Sequence, residues 1–149
     1  LDHWLESPRG SLAIVLLLDQ FPRHIWRHSR QAFAYDSRAQ QISLSSLEKV
    51  FDGQVYKIER VFFYMPLMHA EDLQLQEAGV ERMRKLAQEA PKESYHHFQK
   101  FFRQAQEHQE VIRRFGRFPS RNKALGRRST FDELRYLQTG TIRNSNAPP

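Results

Sequence analysis

Apolar residues recur at three- and four-residue spacing along almost the whole chain, and no stretch alternates with period two over the length of a strand. That pattern restricts the fold to packed helices, each burying one stripe of its surface. Pro and Gly punctuate the pattern. Ser7-Pro8 reads as an N-cap with proline at the first helical position, opening a buried helix through Leu12, Ala13, Leu16 and Leu17 that should stop near Phe21-Pro22. A short helical piece with Ile25 and Trp26 follows. Asp36 is placed to cap a helix from Ser37 to Phe51 with Ala39, Ile42, Leu47 and Val50 as its stripe. Gly53 suits the left-handed position that closes such a helix.

Val55 to Tyr64 is apolar nearly all round, which predicts a central helix that Pro66 breaks. The next helix is expected from Glu71 to Ala90, ending at Pro91, and another from Glu93 to Arg114, stopping at Gly116. Thr130-Phe-Asp-Glu133 is a capping-box pattern that opens a last short helix to about Leu137. The expected fold is therefore all-α, with consecutive helices packed as antiparallel pairs. Residues 1–140 should form a single helical domain and 141–149, polar and Pro-ended, a flexible tail.

Composition narrows the classes of function. With 40% hydrophobic and 12% aromatic residues, the 149-residue chain can build a packed core. It has no Cys, so thiolate nucleophiles, thiolate metal sites and disulfides are excluded, and a reducing, cytoplasmic setting is expected. The longest apolar run, Leu12 to Leu18, is far short of the roughly 20 residues that span a bilayer, so no membrane partner is expected. The net charge of +6 is uneven: Arg113, Arg114, Arg117, Arg121, Lys123, Arg127 and Arg128 follow one another without an acidic residue between them. A basic stretch of this kind steers anions, although it has no recognition helix for reading bases, so nucleic acid is not the expected partner. Phosphate-binding glycine loops, the G-x-S-x-G elbow and H-E-x-x-H are all missing, and no cofactor or metal is expected.

Three polar clusters sit where helices should begin or end: Leu18-Asp-Gln-Phe-Pro-Arg23, Pro66-Leu-Met-His-Ala-Glu-Asp72 and Arg114-Phe-Gly-Arg-Phe-Pro-Ser-Arg-Asn122. Charged groups beside Phe and Pro are costly unless they find partners, so the three clusters are expected to meet at one polar site. Asp19, Gln20 and Arg23 offer a carboxylate, an amide and a guanidinium. Equally, Arg23 could serve helix carbonyls while Asp19 pairs with an Arg. His69, Glu71 and Asp72 could do acid–base work, with His69 the candidate catalytic group, or could hold a hard metal ion given a third partner such as Asp19, or the carboxylates could simply favour a helix N-terminus. Arg114, Arg117, Arg121 and Asn122 could hold a carboxylate or phosphate, with Arg127 and Arg128 widening the patch, or could neutralise Asp19, Glu71 and Asp72 inside the fold. His24 and His28, four apart, would share a helix face, but two His without a third ligand do not define a zinc site.

The same clusters, together with Ala32-Phe-Ala-Tyr-Asp36, Tyr64-Met-Pro-Leu-Met-His-Ala-Glu-Asp72, Leu125-Gly-Arg127 and Ser129-Thr130, resemble the bacterial domain of unknown function 924 family over Trp4 to Leu137. The resemblance implies an all-helical fold similar to the right-handed arrays of tetratricopeptide type, and it carries no established activity to any residue. His24 stands where the family usually has Asn, and Ser120 where it usually has His. Relatives normally have a further N-terminal segment with a Trp-Phe motif, so residues upstream of Leu1 are expected.

Taken together, the chain is expected to be a helical domain that binds a small anionic ligand, or an acidic segment of a partner protein, at a polar cleft. The alternative is a hydrolase or transferase acting on a phosphorylated or carboxylated small molecule.

Overall fold

A computed structural model of the chain describes residues 2–140, and all regular structure among them is helical. The expected tail, 141–149, lies outside the described residues. A 3-10 segment, Asp2–Glu6, leads into helix α1 (Pro8–Val15), whose N-cap Ser7 accepts a bond from the Gly10 amide at 3.2 Å. The two segments touch at Gly10. A Cβ built there would lie 2.2 Å from the Trp4 carbonyl oxygen, a backbone atom that cannot swing aside. Gly10→Ala is therefore expected to cost about 1–3 kcal/mol, the range for forced overpacking, measurable by urea denaturation.

The helix does not stop at Phe21-Pro22 as its sequence predicts. It passes through a π turn, Leu16–Gln20, into α2 (Phe21–Ile25), so that Pro22 falls in the first turn of a new helical piece, where a missing N–H is tolerated. The side chain of Arg23 meanwhile caps the Asp19 carbonyl at 2.7 Å. His24 and His28 do not share a face: α2 ends at Ile25, and His28 has φ 63°.

After a 3-10 turn, Arg30–Phe33, α3 runs over Asp36–Glu48. Two expectations are corrected here. Asp36 is not the N-cap but the first helical residue, buried, because its carboxylate is drawn into ion pairs described below. Nor does Gly53 close the helix. Val50 takes the left-handed position at φ 57°, its amide bonding the Leu47 carbonyl and that of Phe51 the Ser46 carbonyl, the paired bonds of a Schellman motif.

Helix α4 (Lys57–Met68) forms the centre of the core, with Val61, Phe63 and Leu67 fully buried. Pro66 does not break it but lies inside its last turn, where the buried Ser43 hydroxyl donates to the Phe63 carbonyl. Asp72 caps α5 (Leu73–Gln88), accepting from the Leu75 amide at 2.9 Å. Helix α6 (Tyr95–Phe115) packs most extensively on α5 and ends at Gly116 with φ 69°. A 3-10 turn (Pro119–Arg121), α7 (Asn122–Leu125) and α8 (Phe131–Thr139) complete the described chain. Thr130 and Glu133 form the capping box that the sequence predicts.

The main core draws on α1, α3, α4, α5 and α6, from Leu12 and Val15 to Phe98 and Ala105. A smaller cluster of Val111, Ile112 and Phe118, with Phe115 and Tyr136 against it, joins the end of α6 to α8. The three polar clusters are rooted in these apolar bodies, Leu18, Leu67 and Met68 in the first and Phe115 and Phe118 in the second.

Candidate functional site

Asp19 sits in the π turn and is only 1% exposed. Such a carboxylate demands partners. Its oxygens accept from Gln20 Nε2 at 2.6 Å and His69 Nδ1 at 2.7 Å, and Arg23 Nη1 lies 3.3 Å away. Burial pushes the Asp19 carboxyl up, but the facing His69 and Arg23 charges and the bonds from His69 and Gln20 outweigh burial and hold it below the ordinary carboxylate value. His69, at the C-cap of α4, thus rests its Nδ1 edge on a buried acid, with its side chain 17% exposed.

Arg23 continues the chain of contacts with a bidentate pair to Asp36, both bonds 2.8 Å. Arg121 reaches the same Asp36 at 3.1 Å and the His69 carbonyl at 2.8 Å. Its guanidinium lies 4.7 Å from the centre of the Phe33 ring and 4.5 Å from that of Phe118. Phe118 thus gives Arg121 an aromatic face from within the third cluster, and Phe33 a second from the 3-10 turn before α3. His108 on α6 bonds the Met68 carbonyl through Nδ1 at 3.0 Å and stands 6.1 Å from the His69 ring. Burial, followed by the nearby charge of His69, pushes the His108 imidazole down to about 4.

A second group of contacts adjoins the first through Phe118, whose amide donates to Glu71 at 2.8 Å. Arg127 forks onto Glu71 at 2.6 and 2.9 Å and reaches the Phe118 carbonyl at 3.1 Å. Burial raises the Glu71 carboxyl, but the Arg127 and Phe118 bonds prevail and hold it low. Arg127 Nε then bonds Asn122, whose amide nitrogen donates to Ser129 at 3.0 Å and Glu133 at 3.2 Å. Arg117 forks onto Glu133 at 2.7 and 2.9 Å, and these bonds bring the Glu133 carboxyl down to about 2.

The candidates from sequence therefore divide. Asp19, Gln20, Arg23, His69 and Arg121 converge on one surface-reaching edge. Glu71 and Asn122 belong to the adjoining group, bonded to Arg127. Arg117 also sits there, against Glu133 rather than His69. Arg114 faces Asp132 at 3.5 Å, and Asp72 is the exposed cap of α5. Ser120 is exposed in the same 3-10 turn as Arg121.

Sequence reasoning missed Asp36, the acid shared by Arg23 and Arg121, because its capping role looked sufficient. It also passed over His108, whose signal was available: it falls between Ala105 and Ile112 on the apolar stripe of α6, an unusual place for an imidazole. Among the described residues no group of three or more His, Cys, Asp or Glu side chains is placed to hold a metal ion.

The molecule is an all-helical protein whose polar loops are cross-braced by carboxylates, guanidiniums and an imidazole. The chain belongs to the family described as bacterial protein of unknown function (DUF924), matched over residues 1–141. Among solved structures it is similar to a protein of unknown function from Agrobacterium tumefaciens. The two share 36% sequence identity with a TM-score of 0.81, covering 92% of this chain and 72% of that one. No curated protein matches the chain. No helix of the described residues is long and apolar enough to cross a membrane.

Proposed function

We propose that this chain is a helical binding domain of the tetratricopeptide-like kind, working in the cytoplasm. It would take a small anionic ligand, or the acidic segment of a partner protein, at the edge formed by His69. One observation carries the reading. The His69 ring is anchored through Nδ1 to the buried Asp19 at 2.7 Å, so its other nitrogen is oriented and left for an external group. Arg23 and Arg121 stand beside it, the two sharing Asp36, while Asp19 lies between Arg23 and His69. An anion docking there would gain a charge-assisted bond from the imidazole in a setting already fixed by the fold.

The same dyad supports the alternative, acid–base catalysis by His69 in a hydrolase or transferase acting on a phosphorylated or carboxylated small molecule. An imidazole whose tautomer is set by a buried acid is suited to passing a proton at its second nitrogen.

A melting screen of the full chain against inorganic phosphate and short mono- and dicarboxylates separates the readings. A ligand at 100 times its Kd stabilises by about 2.7 kcal/mol, roughly 5–10 °C in a domain of this size. That shift should vanish in His69→Gln, read against the variant's own unliganded melting temperature, which the loss of the imidazole at Asp19 will itself lower. An equal shift in wild type and His69→Gln would refute the site. Hydrolysis of a phosphate monoester or a carboxylic ester added to the panel, lost in His69→Gln, would favour the enzyme instead.

A further inference from the structure

We infer that a cleft between α4 and α5 is a second ligand site, suited to a small molecule carrying both a carboxylate and an amine. The cleft encloses about 420 Å³, within the range of small-molecule pockets, and Arg60, Tyr64, Arg82, Asp52, Glu81 and Glu89 line it. None of these residues takes part in the contacts around His69, so this site stands or falls independently of the reading given there.

Its two guanidiniums differ from others in the protein by what they leave unbonded. Arg23, Arg117, Arg121 and Arg127 each donate to a carboxylate at 2.6–3.1 Å. Arg60 instead approaches Glu89 only to 3.9 Å, and its Nε is buried without a hydrogen-bond partner. Arg82 lies 3.5 Å from Asp52, whose carboxylate already accepts the Tyr64 hydroxyl at 2.7 Å, and its guanidinium sits over the Tyr64 ring. A buried N–H without an acceptor is rare in folded proteins, and the acceptor that best matches a planar guanidinium is a carboxylate or similar oxyanion. The Nε itself is shielded from the cleft, so it is the terminal nitrogens of Arg60, which make no hydrogen bond among the described residues and border the cleft, that a ligand oxygen can reach.

The acids select the class of ligand. Asp52, Glu81 and Glu89 line the same space as Arg60, Arg82 and Lys85. Glu81 is already held by Arg84 at 2.7 and 2.8 Å and Asp52 by Tyr64, whereas the Glu89 carboxylate has no cation closer than 3.9 Å among the described residues. A dianion such as phosphate would be drawn by the guanidiniums and opposed by the carboxylates. A molecule with one carboxylate and one ammonium, as in a free α-amino acid or a chain terminus, complements both signs at once. Its carboxylate would meet Arg60 and Arg82, and its ammonium the exposed Glu89.

The test is a titration of the 15N-labelled chain at constant ionic strength with a panel of α-amino acids, acetate, methylamine and inorganic phosphate, followed by NMR. At least one amino acid should perturb the Arg60 and Arg82 Nε–H signals saturably, at least tenfold more tightly than acetate, methylamine or phosphate. Arg60→Gln and Arg82→Gln should each weaken that binding at least tenfold. Arg82 is the more exposed of the two, so its variant serves if Arg60→Gln does not fold. Tighter binding of phosphate than of any amino acid, unchanged affinity in a folded Arg82→Gln, or no saturable perturbation with any of the panel would overturn the assignment.

Discussion

Replacing Asp36 by Ala should destabilise the fold by about 3–5 kcal/mol, the usual penalty for stripping one partner from a buried ion pair. The reason lies in the stoichiometry. Arg23 makes two 2.8 Å bonds to this carboxylate and Arg121 a third at 3.1 Å. Without it, two guanidiniums face each other in a poorly solvated place. Arg23 keeps Asp19, through its carbonyl and carboxylate, and the Phe33 ring, while Arg121 keeps the His69 carbonyl and its two aromatic faces. The melting temperature should fall by roughly 10 °C in a chain of this length. Urea denaturation checks the figure, and a loss under about 1 kcal/mol would show that the guanidiniums are well hydrated. Asp36→Asn should fall between, since an amide still accepts bonds but carries no charge. Because Asp36, Arg121 and His69 are linked, the variant should also loosen His69, visible as altered chemical shifts of its ring protons.

The second large effect is a loss of stability on mild acidification that originates at His108. Its imidazole protonates at about 4 in the folded protein, against 6.5 for the exposed group, so the unfolded chain takes up the proton first. Stability is therefore complete above pH 6.5, declines as the pH falls to about 4, and levels off for this group below that. The full difference amounts to about 3 kcal/mol at 1.36 kcal/mol per unit. Asp19 and Glu71 act in a separate, lower window. Their folded values are depressed, so their stabilisation is present above the ordinary carboxylate values of 3.8 and 4.5 and is lost as the pH drops further. Glu133 extends that loss to about 2. Denaturation curves from pH 8 to pH 3 should thus show two descending arms. His108→Gln should remove the upper arm and leave the lower one, at a fixed cost near pH 8 from the altered bond to the Met68 carbonyl. An unchanged upper arm in that variant would assign the effect elsewhere.

Much of the helical framework was legible in the sequence because helix ends carry local chemistry. Ser7-Pro8, the Thr130 capping box and Gly116 act within one turn of their own residue, so neighbours in sequence suffice to read them. The failures came where distant contacts overrode local preference. Pro66 looked like a helix breaker, but it lies in a terminal turn that the surrounding core holds in place. Val50 occupies a left-handed position that a β-branched residue disfavours, while Gly53 three residues on looked the natural choice. Phe21-Pro22 looked like a stop, and the π turn absorbed it.

The candidate site shows the same division. That Asp19, His69 and Arg121 are chemically able to meet could be read from residue types at three helix ends. Which acid each Arg would take could not, because partners lie 13 to 85 positions apart in the chain. Arg117 went to Glu133 and Arg121 to Asp36, although both come from the same short cluster.

By itself, the order of residues determined the helical class, the helix ends at Ser7, Gly116 and Thr130, and the identity of the polar clusters, since periodicity and capping act over a few neighbours. Tertiary structure alone decided that Asp19 lies beneath His69, that Asp36 is shared by two guanidiniums, and that His108 is buried beside them. Charge pairing has no sequence period: it depends on distances that only packing sets, and on a desolvation that exists only once the helices have closed over it.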